Sequence, residues 1–186
     1  MLRGPVKITK EIISEIPRRY FFVTANLEVD AQSLIQQIEK GINEEGNKNY
    51  KSNVFAKMTE WKYFLNSKEF LMPLLHILNK YDELAVKHTG FKRYYNLSHA
   101  WGYKEGTSEY TFRHDHEPAV ISGALFLNKH PQQLYFHQID QTVDCFPGSF
   151  VLFSSFLEHN SLPFRNIHAE PRYGISFNLT QRNAEV

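Results

Sequence analysis

From residue 91 onward the chain is a series of short aromatic and β-branched runs with turns between them and no helical stretch among them. The runs lie at 91–97, 99–104, 109–116, 119–128, 132–138, 149–156 and 171–179, with NKHPQQ and FPGS as turn signals. Short strands in unbroken succession predict a double-sheet jelly roll. The 15 Phe and 10 Tyr residues favour strands and a large aromatic core over a helical bundle.

The first 90 residues read as support for that barrel. Residues 19–27 are expected as a strand. Asp30 is placed to cap a helix carrying Ala31, Leu34, Ile35 and Ile38 at helical spacing and ending near Gly41. Residues 42–53 are polar and read as a surface loop, a candidate lid. A second helix is expected over 67–81, with Phe70, Leu71, Leu74, Leu75, Leu78 and Tyr81 on one face and Pro73 inside it, kinking it or delaying its start. No linker separates the halves, and 186 residues fit one domain: 1–90 as strand and helical support, 91–180 as the β-barrel core.

The bulk numbers narrow the partners. A net charge of +1, with acids and bases interleaved, implies no strong field for nucleic acid or membrane. Cys145 is the one cysteine, so no disulfide forms within a chain, and a reducing compartment such as the cytoplasm is the simple expectation. The opening MLRGPVKITKEIISEI does not read as a signal peptide, and no stretch is long enough to span a membrane.

Residues 109–117 read EYTFRHDHE. On a strand, alternate side chains share a face, which would place Tyr110, Phe112, His114 and His116 together and Thr111, Arg113 and Asp115 opposite. Two histidines at the end of an apolar face suit a barrel mouth and could reach one metal ion. Pro118 is expected to end the strand. His159, just past the apolar run SFVLFSSF that Pro147-Gly148 introduces, is the candidate third ligand. Three histidines on one face of an octahedron approach the facial triad of non-haem iron(II) oxygenases, although imidazole also suits zinc, copper and nickel. His76 reads as a helix-surface or satisfied core residue and His88, His99, His130 and His168 as surface or loop residues, whereas His137 could line the pocket.

The run RYGISFNLT puts Arg172, Gly174, Ser176 and Asn178 on one face. An arginine facing into a barrel is costly unless an anion meets it. That anion is either a protein acid or a ligand carboxylate gripped by the guanidinium and a nearby hydroxyl. A metal with a carboxylate clamp suits a co-substrate that chelates the metal and carries a distant carboxylate, which is the form of 2-oxoglutarate.

Taken together, Trp101, Gly106, His114-Asp115-His116, Ser122-Gly123, Pro147-Gly148, His159 and Arg172–Asn178 stand in an order that resembles the 2-oxoglutarate/iron(II)-dependent oxygenases, and most of all their small phage and bacterial members. The upstream NVFAKMTEW at 53–61 is similar as well. The resemblance implies a mainly β (α+β) double-stranded β-helix, with iron(II), O₂ and 2-oxoglutarate, which is decarboxylated to succinate and CO₂ as a C–H bond is hydroxylated. It implies His114, His116 and His159 as metal ligands, Arg172 on the distal carboxylate, and Ser176 and Tyr103 as further co-substrate contacts. The substrate is expected to be a small molecule or peptide, and the site of action the cytoplasm, a host's if the chain is phage-encoded.

Two features depart from the superfamily pattern. H-x-H replaces H-x-D or H-x-E, and Asp115 would point away from the metal unless a bulge brought it in and displaced a histidine. Gly174 stands where a serine would follow the arginine. The competing expectations are a cupin-type metal dioxygenase or isomerase that does not use 2-oxoglutarate, and a non-catalytic barrel that serves as a binding module. Glu117 directly after H-x-H, and His159 well beyond Gly148, count against a cupin.

Overall fold

The structure is a computed structural model, and it describes residues 20–47, 53–107, 109–161 and 170–182. In chain order these form β1 (Phe22–Asn26), α1 (Ala31–Ile42), β2 (Val54–Phe55), β3 (Lys57–Met58), a 3₁₀ turn (Tyr63–Asn66) and α2 (Lys68–Thr89). Then follow β4 (Tyr95–Glu105), β5 (Tyr110–Thr111), β6 (Ile121–Phe126), β7 (His130–Phe136), β8 (Gln141–Cys145), β9 (Ser149–Ser154), β10 (His159–Ser161) and β11 (Arg172–Gln181). The N-terminal segment to residue 19, residues 48–52 of the expected loop, His168 and the side chain of His88 lie outside the described residues.

The strands form a six-stranded sheet in the order β1-β9-β6-β11-β4-β3, a three-stranded sheet β10-β7-β8 and the pair β2-β5. This is the expected double-sheet barrel backed by helices. β6 and β9 lie in the large sheet and are buried along their whole length. Their alternate side chains serve two cores. Leu125, Leu152, Ile175 and Phe177 meet Leu34, Ile38, Phe70 and Leu74 of the helices. Ala124, Phe126, Val151 and Phe153 meet Leu134, Phe136 and Val143 between the sheets. Burial on both faces explains why ISGALF and SFVLFS read as unbroken apolar runs.

Both helices follow their signals, with changes at the ends. The Asp30 carboxylate accepts the Ser33 N–H at 3.0 Å and caps α1. α2 continues past residue 81 to Thr89, with Pro73 inside it, and ends at Gly90, whose positive φ of 75° closes the turn. No helix among the described residues is long and apolar enough to cross a membrane.

Three strand expectations change. The runs at 91–97 and 99–104 merge from Tyr95 onward into a single strand, β4, with residues 91–94 outside it; the strand is irregular where Ser98 is passed over between the pairs Leu97–Leu179 and His99–Asn178. That irregularity breaks the apolar period and makes one strand look like two. Residues 109–116 are not a continuous strand: only Tyr110–Thr111 pair as β5, Phe112 is 51% exposed, and Thr111 is the buried neighbour. β8, read as QTVDC, was not expected, because an edge strand with polar Gln141, Thr142 and Asp144 carries little apolar signal.

Two glycines are required by close approach. Gly148 has φ of 84°, its carbonyl accepts the Leu27 N–H at 2.8 Å, and a Cβ there would strike the Leu27 carbonyl. Gly123 sits opposite Phe177, and a Cβ would run into that ring and the Val151 carbonyl. Gly123→Ala is therefore expected to lower the unfolding free energy by about 1–3 kcal/mol through overpacking. A lower urea midpoint with an unchanged slope would show it.

Candidate metal centre

The chain from Thr111 to Pro118 crosses the barrel opening, and backbone hydrogen bonds hold it there. His114 and His159 form an antiparallel bridge, with N–H to carbonyl distances of 3.1 and 3.0 Å. The His116 N–H donates to the Ser155 carbonyl at 2.8 Å. The first pair of H-x-H is thus tied to the segment that carries the third histidine. The expected alternation holds from Arg113 to His116, with Arg113 and Asp115 exposed and the two histidines turned in; it fails one step earlier, at Thr111 and Phe112.

The three imidazoles converge: one ligand atom from each of His114, His116 and His159 lies within 4.8 Å of the others. Each Nδ1 has an acceptor. His114 Nδ1 faces the Phe112 carbonyl at 2.7 Å, and His159 Nδ1 faces the Leu157 carbonyl at 3.0 Å. His116 Nδ1 faces Asn178 Oδ1 at 2.8 Å. Acceptors at Nδ1 assign the proton there and leave the Nε2 lone pairs free. The Nε2 atoms of His116 and His159 are 3.3 Å apart, so two lone pairs face each other. That arrangement is repulsive without a cation between them, and the donor set fits a divalent metal ion of the first transition row.

Electrostatics favour the neutral, ligating form. Burial, with neighbouring His114 adding to it, pushes His116 down to about 3. Burial likewise holds His159 well below and His114 below the usual histidine range. The rings are also packed in place. Trp101 stacks on His116 with an interplanar angle of 21°, and Phe153 meets His159 edge-on at 4.8 Å between centroids. Asn178 Oδ1 accepts a second hydrogen bond, from Ser122 Oγ at 2.7 Å, and Ser122 in turn contacts Ser155 at 2.8 Å. Asp115 is exposed, accepts the Glu117 N–H at 3.1 Å and is not part of the histidine cluster.

Two cavities adjoin the cluster. An open one of about 270 Å³ is lined by Trp61, His99, Trp101, His114, His116 and Asn178. An inner one of about 40 Å³ is lined by all three histidines and by Tyr103, Thr111 and Ser176. Tyr103 is buried, and burial raises its phenol, so it stays protonated near neutral pH. A Cβ at Gly174 would collide with the Tyr103 ring and hydroxyl, which gives the physical reason for glycine at that position.

Arg172 is buried on the inner side of β11 and forms an ion pair with Glu105, its register partner on β4. Burial opposes its charge most strongly, but Glu105, Tyr103 and Cys145 together more than offset this, so its pKa is raised. Its Nη1 donates to the Gln132 carbonyl at 3.2 Å. Among the other histidines, His76 is exposed and His99 lines the open cavity; His130, expected on the surface or in a loop, is instead buried at the start of β7, because that strand packs its alternate residues inward. His137 lines neither cavity and contacts Asn160 Oδ1 at 2.8 Å.

The residues that sequence reasoning gave no role are Asn178, Glu105 and Thr111. The period of two on β11 already placed Asn178 inward, so its inward position was available; its partner, His116, was not. Glu105 gave no signal, because an acid before a Gly-containing turn looks solvent-exposed.

Comparison with known proteins finds likeness in structure alone. No family model matches the sequence, and no curated protein does. Among solved structures, a prolyl-4-hydroxylase from Pseudomonas putida aligns with a TM-score of 0.61 at 13% identity, over 87% of this chain and 93% of that one. A viral collagen prolyl hydroxylase of Paramecium Bursaria Chlorella virus-1, solved with 2-oxoglutarate, aligns at 0.58 with 13% identity, over 87% and 96%. A Trichoplax adhaerens prolyl hydroxylase, solved with a hypoxia inducible factor peptide, aligns at 0.59 with 16% identity, over 86% and 83%. By fold, then, the chain is a double-stranded β-helix of the kind found in the 2-oxoglutarate/iron(II)-dependent oxygenases.

Proposed function

We propose that this protein is a mononuclear iron(II) oxygenase that uses 2-oxoglutarate and O₂ to hydroxylate a small-molecule or peptide substrate. The observation that carries this reading is the convergence of three neutral imidazoles, each with its Nδ1 facing an acceptor and its Nε2 turned to a common point. The fold supports it: solved barrels of this shape include hydroxylases, one of them bound to 2-oxoglutarate and another to a peptide. Iron(II) held there would couple oxidative decarboxylation of 2-oxoglutarate, to succinate and CO₂, with hydroxylation of a C–H bond.

The chain's own residues divide the remaining work. His114, His116 and His159 bind the metal from one side and leave the other side open. Asn178 orients His116, and the backbone carbonyls of Phe112 and Leu157 orient the other two rings. Tyr103 and Ser176 line the inner cavity beside the metal, where they can contact the co-substrate, and Arg172 stands behind the Tyr103 ring. Trp61 and Trp101, packed edge to face with 4.6 Å between centroids, wall the open cavity on the substrate side.

His159→Ala is expected to abolish iron(II) binding in an anaerobic titration, and retained affinity would remove His159 from the ligand set. Asn178→Leu should weaken metal binding by roughly 10–100-fold, because His116 loses the acceptor that sets its tautomer. Asn178→Asp keeps that acceptor and should retain most of the affinity. Succinate should form from 2-oxoglutarate only when iron(II) is present, and His114→Ala should lose it. Iron-loaded protein that consumes no 2-oxoglutarate across a metabolite and peptide screen would overturn the co-substrate assignment.

A further inference from the structure

Arg172 and Glu105 face each other across the β11–β4 register with side chains 2% and 0% exposed. The carboxylate has other partners: Thr111 Oγ1 donates to Glu105 Oε1 at 2.8 Å, and Ser161 Oγ lies 3.5 Å from the same oxygen. This is a prepared seat for an anion, and a protein carboxylate is in it.

The inner cavity stops one layer short of this pair, at Thr111, which hydrogen-bonds Glu105, and at Tyr103, whose ring faces Arg172. Its polar lining, apart from the histidines, consists of the hydroxyl-bearing Tyr103, Thr111 and Ser176; Glu105 and Arg172 are not part of it. The guanidinium lies behind the Tyr103 ring, 5.6 Å from its centroid. Arg172 Nε has no hydrogen-bond partner, so a donor remains, but the charge of the cation is already matched. A second carboxylate brought to Arg172 would stand beside Glu105, and two like charges on one buried cation repel.

We infer that Glu105 occupies the seat on Arg172 that the distal carboxylate of 2-oxoglutarate would take, and so sets co-substrate selectivity. The site then gives 2-oxoglutarate little advantage over a 2-oxo acid of equal length with an uncharged tail. This inference rests on reading the inner cavity as a 2-oxo acid site.

The test titrates iron(II)-loaded protein anaerobically with 2-oxoglutarate and, separately, with 2-oxopentanoate. Binding is followed by the visible charge-transfer band of the chelate and by calorimetry. In the unaltered protein the two dissociation constants are expected to lie within about tenfold of each other. Glu105→Gln keeps the shape and removes the charge, and it should shift the ratio towards 2-oxoglutarate by about tenfold or more, as Arg172 is freed for a bidentate grip. An unaltered protein that favours 2-oxoglutarate by more than about tenfold overturns the inference. So does a Glu105→Gln variant with an unchanged ratio. If that variant does not fold, the ratio in the unaltered protein decides alone. Iron(II) that binds while neither acid does overturns the co-substrate reading, and this inference falls with it. Failure to bind iron(II) overturns the metal centre instead.

Discussion

The pairing of β11 between β4 and β6 is the constraint on which the rest of the structure depends. A strand held on both sides has a fixed register, and the period of two then decides which side chains enter the barrel. Inward go Arg172, Gly174, Ser176 and Asn178; towards the helices go Ile175, Phe177 and Leu179. Each inward position has its own task. Arg172 meets Glu105, Gly174 makes room for Tyr103, Ser176 lines the inner cavity and Asn178 orients His116. A slip of one residue would send all four to the helix side and drive Phe177 into the cavity.

The candidate metal centre depends on the same rigidity by a different route. Its first two histidines lie on irregular backbone, which alone would not hold a ligand within a few tenths of an ångström. The His114–His159 bridge and the His116 to Ser155 hydrogen bond tie that segment to the end of β9 and the start of β10. Aromatic rings from Trp101, Phe136 and Phe153 close around the imidazoles. The apolar packing that fixes the rings also desolvates them, so one arrangement supplies both position and neutrality.

Charge in this barrel is kept apart from the histidine cluster. Burial favours the neutral form of the three histidines, and the buried carboxylate lies at the arginine instead of beside them. A buried carboxylate and guanidinium in contact are far less costly together than either alone. Removing either partner alone would leave the other charge buried and unmatched, so the two side chains depend on each other.

The sequence by itself determined the class of fold, the placing of both helices and the inward face of β11, because these depend on local periodicity and on turn residues such as Gly148. It also marked His114, His116 and His159 as a set, through their order relative to apolar runs. It misjudged the backbone at 109–116, where alternation would have put Phe112 inside and the structure exposes it. Only the tertiary structure decided which acceptor each imidazole faces, that Asp115 stays outside the cluster, and that Glu105 meets Arg172. The Asn178–His116 and Glu105–Arg172 contacts join residues far apart in the chain, and they follow from strand register and side-chain packing, which no local pattern encodes; the carbonyls facing His114 and His159 are near in sequence, but the backbone path that aims them is irregular.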